Sequence, residues 1–435
     1  SSSVTNSGTI TGAGAGITTA YQFDEAIGDI VGIAVGTQVT NSGTIRGESN
    51  DGVRLIGGGS VSNSGIIRGE GSALADGISI YPYDGQTLAN YVGTVANSST
   101  GDISGTRFGI IMSAGGAVDN AGKVTGEGPG GVLIQRGAGL VQETGFDGTL
   151  SNTGTITGSN GYGAVVLVTD TATIANSGTI AGATSGAVVE GLQVSQEIAQ
   201  TGTISNSGTI TGSGTFGAAA AGFLDTAEIT NSGTITGATD GVILGNFGTA
   251  TLVNTGAITG GGRGVWGDDS GAVILDNAGT ITGSSGIAVQ LGSFDDRVTL
   301  RTGSAMSGAV DAGGGNDSLT LDGDVLELTE AQPLTEATGF ETLDVAAGYW
   351  STAGMVGAFD NVSIASGASL QVNEIDLGAG DTSSPILTPS VRTDGLLVLN
   401  FGTDDVVSDL ADLTIDGTGQ LQLIGDAVFT VDTSN

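Results

Sequence analysis

The chain has 435 residues and a formal charge of −35, from 45 acidic and 10 basic residues. A surface this acidic repels nucleic acid and anionic headgroups, so neither is expected as a partner. Cysteine and histidine are absent, which excludes disulfides, Ser-His-Asp or Cys-His catalysis and His-ligated metals. No apolar stretch reaches about 18 residues, so we predict no direct insertion of this segment into a membrane.

A repeated motif related to Asn-Ser-Gly-Thr-Ile-Thr-Gly fills the first 283 residues in eleven copies. An aliphatic residue lies two positions before each asparagine, glycines follow at plus two and plus six, and Ile or Val lies at plus four. Only the Asn97 copy carries two extra residues. Repeats with a period of roughly 20–50 residues indicate a solenoid. The anchoring asparagines are Asn6, Asn41, Asn63, Asn97, Asn120, Asn152, Asn176, Asn206, Asn231, Asn254 and Asn277.

Each repeat is interpreted as one rung of three short strands. The first strand ends at the aliphatic residue before the asparagine, the second is the Thr-Ile-Thr segment, and the third is a glycine followed by apolar residues, as in residues 131–134. The fold predicted is all-β: a parallel β-helix with rungs of about 22–25 residues. The motif glycines are expected to supply positive φ at corners. The asparagines are expected to stack as a structural amide ladder, one rung of about 4.8 Å apart.

Long and short intervals between asparagines alternate through the first eight intervals. The extra residues of the long units, about ten each, follow the third strand and predict a loop or hairpin at one corner of every second rung. Aromatic residues are concentrated in the first two of these insertions. Their rings either cover a strand corner or form a contact ridge for a partner. The residues of this ridge are Tyr21, Phe23, Tyr81, Tyr83 and Tyr91.

An acidic turn follows the last asparagine motif. Residues 313–319 resemble one calcium-binding nonapeptide of the RTX β-roll, although Ala312 stands where that pattern begins with glycine. A β-roll site shares ligands between tandem copies, and the nearest related segment ends 21 residues upstream at Asp296. Calcium bound by Asp295, Asp296 and Asp317 is therefore one hypothesis, and a turn of ordinary β-helix without any cofactor is the other.

The C-terminal part has a different pattern. An acidic segment containing proline precedes strands that are richer in leucine, such as residues 396–399 and 421–424. We predict three regions: an Asn-Gly repeat β-helix over residues 1–290, transition rungs over 291–325, and a C-terminal β-helical section over 326–435.

The asparagine motifs, followed by Gly-Gly-Gly-Asn-Asp-Ser-Leu-Thr-Leu and then Gly-Phe-Glu-Thr-Leu-Asp-Val, resemble passenger domains of Gram-negative autotransporters. The resemblance implies that the parallel β-helix is right-handed. It also implies export through an outer-membrane β-barrel translocator and a location at the cell surface or outside the cell. It also implies that residues 326–435 assist folding, as an autochaperone region does. Because the chain ends at Thr433-Ser434-Asn435 without the strands of that barrel, we expect a cleaved or truncated passenger.

The function predicted is that of a non-catalytic adhesin or structural rod, whose partners are a surface glycan, a surface protein or the chain itself. A self-assembling surface-layer or matrix component is the alternative. A polysaccharide-active enzyme would need paired carboxylates, for which Asp268-Asp269 beside Trp266 and Asp295-Asp296 are the candidates. We predict no catalytic residue. An ice-binding surface would use outward threonine pairs such as those of residues 209–211 and 234–236.

Overall fold

The computed structural model describes residues 2–19, 21–24, 29–33, 36–82, 92–136, 146–168, 170–192, 199–222, 224–245, 247–269, 271–324, 332–333, 336–351, 359–373, 390–400 and 414–424. Every regular element within these ranges is a β-strand, which confirms the all-β prediction. None of the described residues forms a helix with the length and apolarity needed to cross a membrane. The chain divides into two compact units, residues 1–250 with 256–261 (unit 1) and residues 251–255 with 262–435 (unit 2).

Unit 1 is a stack of rungs with three short strands each. The first strands end at the motif asparagines: Ser3–Asn6, Thr37–Asn41, Gly59–Asn63, Gly93–Asn97, Gly116–Asn120, Gly148–Asn152, Thr171–Asn176, Thr201–Asn206 and Leu224–Asn231. The second strands are Thr9–Gly12, Thr44–Gly47, Ile66–Gly69, Asp102–Gly105, Lys123–Gly126, Thr155–Gly158, Thr179–Gly182, Thr209–Gly212, Thr234–Gly237 and Ala257–Gly260. The third strands are Ile17–Thr18, Val53–Ile56, Ile78–Tyr81, Phe108–Met112, Gly130–Gln135, Tyr162–Val168, Ala187–Gly191, Phe216–Gly222 and Asp240–Leu244.

Strands of successive rungs pair in parallel and in register, so equivalent residues lie over one another. Asn152 pairs with Asn176, and Ile156 pairs with Ile180 one strand later. The inward residues of each strand are aliphatic and fully buried, as Leu150 and Ile156 are. This pairing confirms the parallel β-helix, whose core is filled by columns of Ile, Val and Leu.

The first insertion is an antiparallel hairpin. Its strands, Tyr21–Asp24 and Asp29–Ile33, lie in the chain between a third strand and the first strand of the next rung, at the corner that the spacing predicted. The residues of three further insertions, 83–91, 137–145 and 193–198, lie outside the described residues. The two extra residues of the Asn97 copy form a turn closed by a bond from Gly101 N–H to Ser98 O, so the following strand, Asp102–Gly105, keeps its register.

The motif glycines serve close packing, and the prediction that they adopt positive φ is wrong. None of the glycines at plus two or plus six of a motif has positive φ. A Cβ at Gly154 would instead overlap the carbonyl oxygen of Gly122 in the rung before, and one at Gly158 would overlap the carbonyl oxygen of Tyr162. Neighbouring rungs at Gly154, and adjoining strands of one rung at Gly158, approach each other so closely that only hydrogen fits.

In unit 2 the first strands are Ala272–Asn277, Arg297–Arg301, Ser318–Asp322, Thr342–Ala347, Asn361–Ile364, Ser390–Thr393 and Thr414–Asp416. The other strands are Arg263–Gly267, Thr280–Gln290, Ala305–Asp311, Gln332–Pro333, Ala337–Thr338, Tyr349–Ser351, Ser369–Asn373, Leu396–Asn400 and Gln420–Ile424.

The division between the units falls within the strand Phe247–Asn254. Pairing in unit 2 is again parallel, as between Leu319 and Leu343. Tyr349, Trp350 and Phe359 are buried in its core, where unit 1 uses mostly aliphatic residues. The region boundaries at 290 and 325 stay predictions.

Candidate binding surfaces

The motif asparagines form columns of hydrogen-bonded amides. In unit 1 each side-chain N–H donates to the Oδ1 of the asparagine in the next rung at 2.8–2.9 Å, in eight successive bonds from Asn6 to Asn231. In unit 2, Asn254 donates to Asn277 at 2.8 Å. The same amides also donate to backbone carbonyls; Asn176, for example, is 3.2 Å from Gly178 O. All eleven side chains are buried, so their polar atoms serve the stack and are not offered to a ligand.

The predicted aromatic ridge is described only in part. Tyr21 and Phe23 lie on the hairpin, but their side chains are outside the described part, and Tyr83 and Tyr91 lie outside the described residues altogether. Tyr81 is held at the end of its strand, because its hydroxyl accepts a hydrogen bond from Arg107 at 2.9 Å. This bond fixes the Tyr81 hydroxyl at the end of its strand, and the ridge stays a prediction.

Tyr81 belongs to a half-buried ionic network on the outside of the third strands. Arg107 makes a bidentate pair with Asp76, at 2.9 Å through Nε and 2.5 Å through Nη2. Burial raises the pKa of Asp76, and the Arg107 guanidinium opposes this shift. Asp51 accepts hydrogen bonds from Asp76 N–H at 2.8 Å and from the Ser79 hydroxyl at 2.5 Å. Each of these charged groups has a hydrogen-bonding partner, so the network stabilises the corner of the rung and leaves none of these groups unpaired for catalysis.

Beyond this network, the outward face of the third strands becomes an apolar groove of about 510 Å³. Its floor is a column of outward aliphatic side chains that pair rung by rung. The column is Leu133, Val165, Val188, Ala219 and Ile243. Val188 and Ala219 are 5% and 2% exposed, although they point away from the core. Small and medium side chains at these positions give the groove its depth.

One wall of the groove carries aromatic rings on alternate rungs. Phe108, Gly130 and Tyr162 are in register on three successive rungs. Phe216 lies two rungs beyond Tyr162. Tyr162 precedes Ala164 by two residues, Phe216 precedes Ala218 by two, and these alanines occupy equivalent positions with one rung between them. Tyr162 is 42% exposed and Phe108 and Phe216 are half-buried, so all three rings are accessible from the groove.

The opposite wall is more polar. Its column of outward residues is Leu167, Glu190 and Ala221, and Glu190 supplies the charge. Glu190 is half-buried, and burial alone raises the pKa of its carboxyl group. The groove is thus an apolar trough with one acidic group beside it, the combination typical of sites that bind an organic ligand.

The groove was not predicted from the sequence, although the chain carries a signal for it. An aromatic residue directly before the glycine that opens the third strand recurs at Phe108-Gly109, Tyr162-Gly163 and Phe216-Gly217. The two rungs between them have Gly130 and Ser185 in that position, and the rung after Phe216 has Asp240. The signal is easily overlooked, because these three aromatic residues lie in the regular rungs and not in the insertions, where most aromatic residues of the first half cluster.

The acidic residues proposed to bind calcium form a column in unit 2. The Oδ1 atom of Asp296 accepts a bond from Val273 N–H, and that of Asp317 from Asp296 N–H, each at 2.6 Å. Glu341 accepts from Asp317 N–H at the same distance, and Asp295 accepts from Asn316 N–H at 2.9 Å. Burial raises the pKa of Asp296 to about 6, and the neighbouring charge of Asp317 adds to the shift.

No cation-binding group of three or more acidic side chains is present among the described residues. One oxygen of Asp296 and one of Asp317, Oδ2 in each, is buried without a hydrogen-bond partner in the described part. The calcium hypothesis stays a prediction. The contacts show what these carboxylates do in the fold, which is to accept backbone N–H groups of neighbouring rungs.

The other carboxylate pair, Asp268-Asp269, follows the strand Arg263–Gly267. The face of Trp266 is covered by the guanidinium of Arg263, 4.1 Å from the ring centroid, and Arg263 also donates to Gln290 at 3.1 Å. A sugar stacked on this face of Trp266 would have to displace Arg263. Asp269 is exposed, so the pair lacks the enclosed setting in which a carboxyl group serves as a general acid.

The threonines of the second strands do line up. Thr155, Thr179, Thr209 and Thr234 pair on successive rungs. The neighbouring column contains Thr125, Thr157 and Thr211, but Ala181 interrupts it and two arginines, Arg46 and Arg68, occupy it in earlier rungs. The ordered threonine face is therefore only a few rungs long.

Comparisons with family models, with curated proteins and with solved structures find no match to this chain.

Proposed function

We propose that this protein is a non-catalytic extracellular adhesin, a β-helical passenger of the autotransporter type that binds its target through the groove of unit 1. Its location at the cell surface and its export through an outer-membrane translocator are part of the same proposal, and they come from the resemblance of the repeats.

The observation that carries the adhesive role is the accessible apolar groove on a rigid stack. Contiguous apolar surface on a protein exposed to water is a feature of binding sites. The floor strands are paired on both sides within unit 1, for example Val165 with Leu133 and with Val188, so the surface is preformed. A preformed surface binds without the entropic cost of ordering a loop.

Adhesion of beads coated with the purified full chain tests the proposal. We expect coated beads to adhere to cell layers or to polysaccharide-coated surfaces, and Tyr162→Ala to reduce adhesion several-fold. Phe294→Ala is the matched control, because Phe294 of unit 2 is 43% exposed and Tyr162 is 42% exposed. Adhesion no greater than that of uncoated beads on every surface would show that the chain is not an adhesin.

Self-assembly into a surface layer or matrix remains the second candidate, because the same groove could receive another copy of the chain. Sedimentation velocity over a range of concentrations distinguishes the two. An adhesin stays monomeric, whereas a lattice component forms larger species that Tyr162→Ala prevents.

Protease treatment of intact producing cells tests the location. We expect degradation of the chain while cytoplasmic marker proteins stay intact, and protection of the chain would contradict a surface location.

A further inference from the structure

We propose that the ligand of the groove is an extended, uncharged polysaccharide strand with β-linked sugars, and that Phe108, Tyr162 and Phe216 each support one sugar ring. This inference rests on the proposed adhesive function and names the chemical class of its target.

The spacing of the rings is the first argument. Rungs repeat at about 4.8 Å, so rings on alternate rungs recur at roughly 10 Å along the stack. That distance is close to the length of one disaccharide unit in an extended β-linked chain. Successive sugars in such a chain are turned over relative to each other, so every second ring presents the same face. A row of aromatic rings that recurs every second rung matches this disaccharide repeat. The match continues along the groove because the stack of rungs and the sugar chain are both linear repeats.

The placement of the rings is the second argument. Two ring carbons of Phe108 lie only 3.1 and 3.3 Å from the position that a Cβ of Gly130 would occupy. The ring thus lies over Gly130 of the next rung, in space that a side chain at that position would otherwise occupy. The Arg107 guanidinium lies over one face of this ring, 5.4 Å from its centroid, so a sugar would pack its C–H groups against the opposite face.

The rest of the groove fits the edges of a sugar. The floor residues Leu133 and Val165 are apolar and half-buried, and they would exclude water from beneath the strand. Glu190, on the opposite wall, can accept hydrogen bonds from hydroxyl groups. Because the whole chain carries a charge of −35, it would repel an anionic polysaccharide. We therefore narrow the ligand class to uncharged polysaccharides.

Isothermal titration of the purified full chain with cellobiose, cellotetraose and cellohexaose tests the inference. From Phe108 to Phe216 the groove spans four rungs, about 19 Å, which is the length of two disaccharide units. We expect affinity to rise with chain length, with cellohexaose binding at least about tenfold more tightly than cellobiose because it reaches all three rings.

Variants assign the binding to the rings. We expect Tyr162→Ala to weaken cellohexaose binding about tenfold and to abolish the gain from chain length, since it removes the central ring. Tyr162→Phe keeps the ring and is expected to bind within about threefold of the parent chain. Phe294→Ala, with an equally exposed ring in unit 2, is expected to change nothing.

Maltohexaose, whose α-linkages coil the strand, and heparin, a polyanion, are expected not to bind. Equal affinity for cellohexaose and maltohexaose, binding of heparin, or cellohexaose binding that ignores Tyr162 would each overturn the inference. Adhesion or self-association that depends on Tyr162, without any binding of oligosaccharides, would also overturn the inference. In the case of adhesion, the proposed adhesive function would still hold. Failure of both the titrations and the bead assay would overturn the two together.

Discussion

The two units of the chain stack polar side chains in different ways. In unit 1 an asparagine column runs through nine rungs in eight successive amide bonds, from Asn6 to Asn231. In unit 2 a carboxylate column of Asp296, Asp317 and Glu341 joins three rungs. The asparagines bond to one another, whereas each carboxylate accepts a backbone N–H group of the rung before.

The contrast shows why one column can be long and the other is short. A primary amide is neutral and both donates and accepts, so every member of a column satisfies the next one. A carboxylate only accepts, and stacking carboxylates places like charges one rung apart. The cost is visible at Asp296, where burial and the charge of Asp317 raise the pKa to about 6.

The largest effect is expected from placing a carboxylate in the asparagine column. Asn176→Asp removes the donor to Asn206 and leaves a buried charge, which we expect to destabilise unit 1 by about 3–5 kcal/mol. Chemical denaturation followed by circular dichroism measures the change. Ser177→Ala, at the exposed next residue, is the control. A change below about 1 kcal/mol for Asn176→Asp would mean that the column does not require amides.

In unit 2 the carboxylate column should make stability depend on pH. The pKa of Asp296 is raised to about 6 from an ordinary value of 3.8, so the folded state retains a proton that the unfolded state loses. This proton stabilises the folded state fully at pH values below the ordinary pKa of 3.8. The stabilisation, at most about 3 kcal/mol, is lost as the pH rises to about 6. Melting curves at pH 4, 5, 6 and 7 measure it. Asp296→Asn cannot ionise and should flatten the profile, whereas identical profiles for parent and variant would contradict this origin.

Close packing of the rungs predicts a difference between two equivalent glycines of unit 1. Gly154→Ala should cost about 1–3 kcal/mol, because its Cβ would overlap the carbonyl oxygen of Gly122. Gly8 occupies the same motif position, and no atom lies within 4 Å of the place that an added methyl group would take, so Gly8→Ala should be nearly neutral. Thermal denaturation compares the two variants. Equal losses would show that backbone conformation, and not contact between rungs, requires glycine.

The smallest effect is expected at the surface of unit 2, where Arg301 bridges two aspartates on neighbouring rungs. It lies 2.6 Å from Asp276 and 2.8 Å from Asp322, and it is 45% exposed. Arg301→Gln should therefore cost only about 0.2–1 kcal/mol, with the loss shrinking at high salt. Denaturation at low and high salt measures it against Arg297→Gln, which removes a charge from the exposed start of the same strand. A loss independent of salt would contradict an ionic origin.

Much of the fold could be predicted from the sequence because its information is repeated. The positions of Asn152, Ile156 and Gly158 recur in rung after rung, and parallel stacking places like residues over like residues. The strands, the parallel register and the corner of the first insertion follow from that rule. The reason for the glycines did not follow, because overlap with Gly122 depends on how closely two rungs approach.

The groove illustrates the other limit. Leu133 was predicted only as a member of a third strand, and Val165 and Val188 occupy the paired positions in two other repeats. Whether an outward residue contributes to a trough depends on the sizes of its neighbours in other rungs, which are distant in the chain. A periodic pattern within one repeat carries no information on this.

The sequence by itself determined that this protein is a parallel β-helix with buried asparagine columns, since a strict repeat has one way to stack its aliphatic, amide and glycine positions. Only the tertiary structure decided that Phe108, Tyr162 and Phe216 share one groove, and that Asp296 and Asp317 accept backbone N–H groups. Those outcomes depend on the depth, burial and charge that arise when different rungs meet.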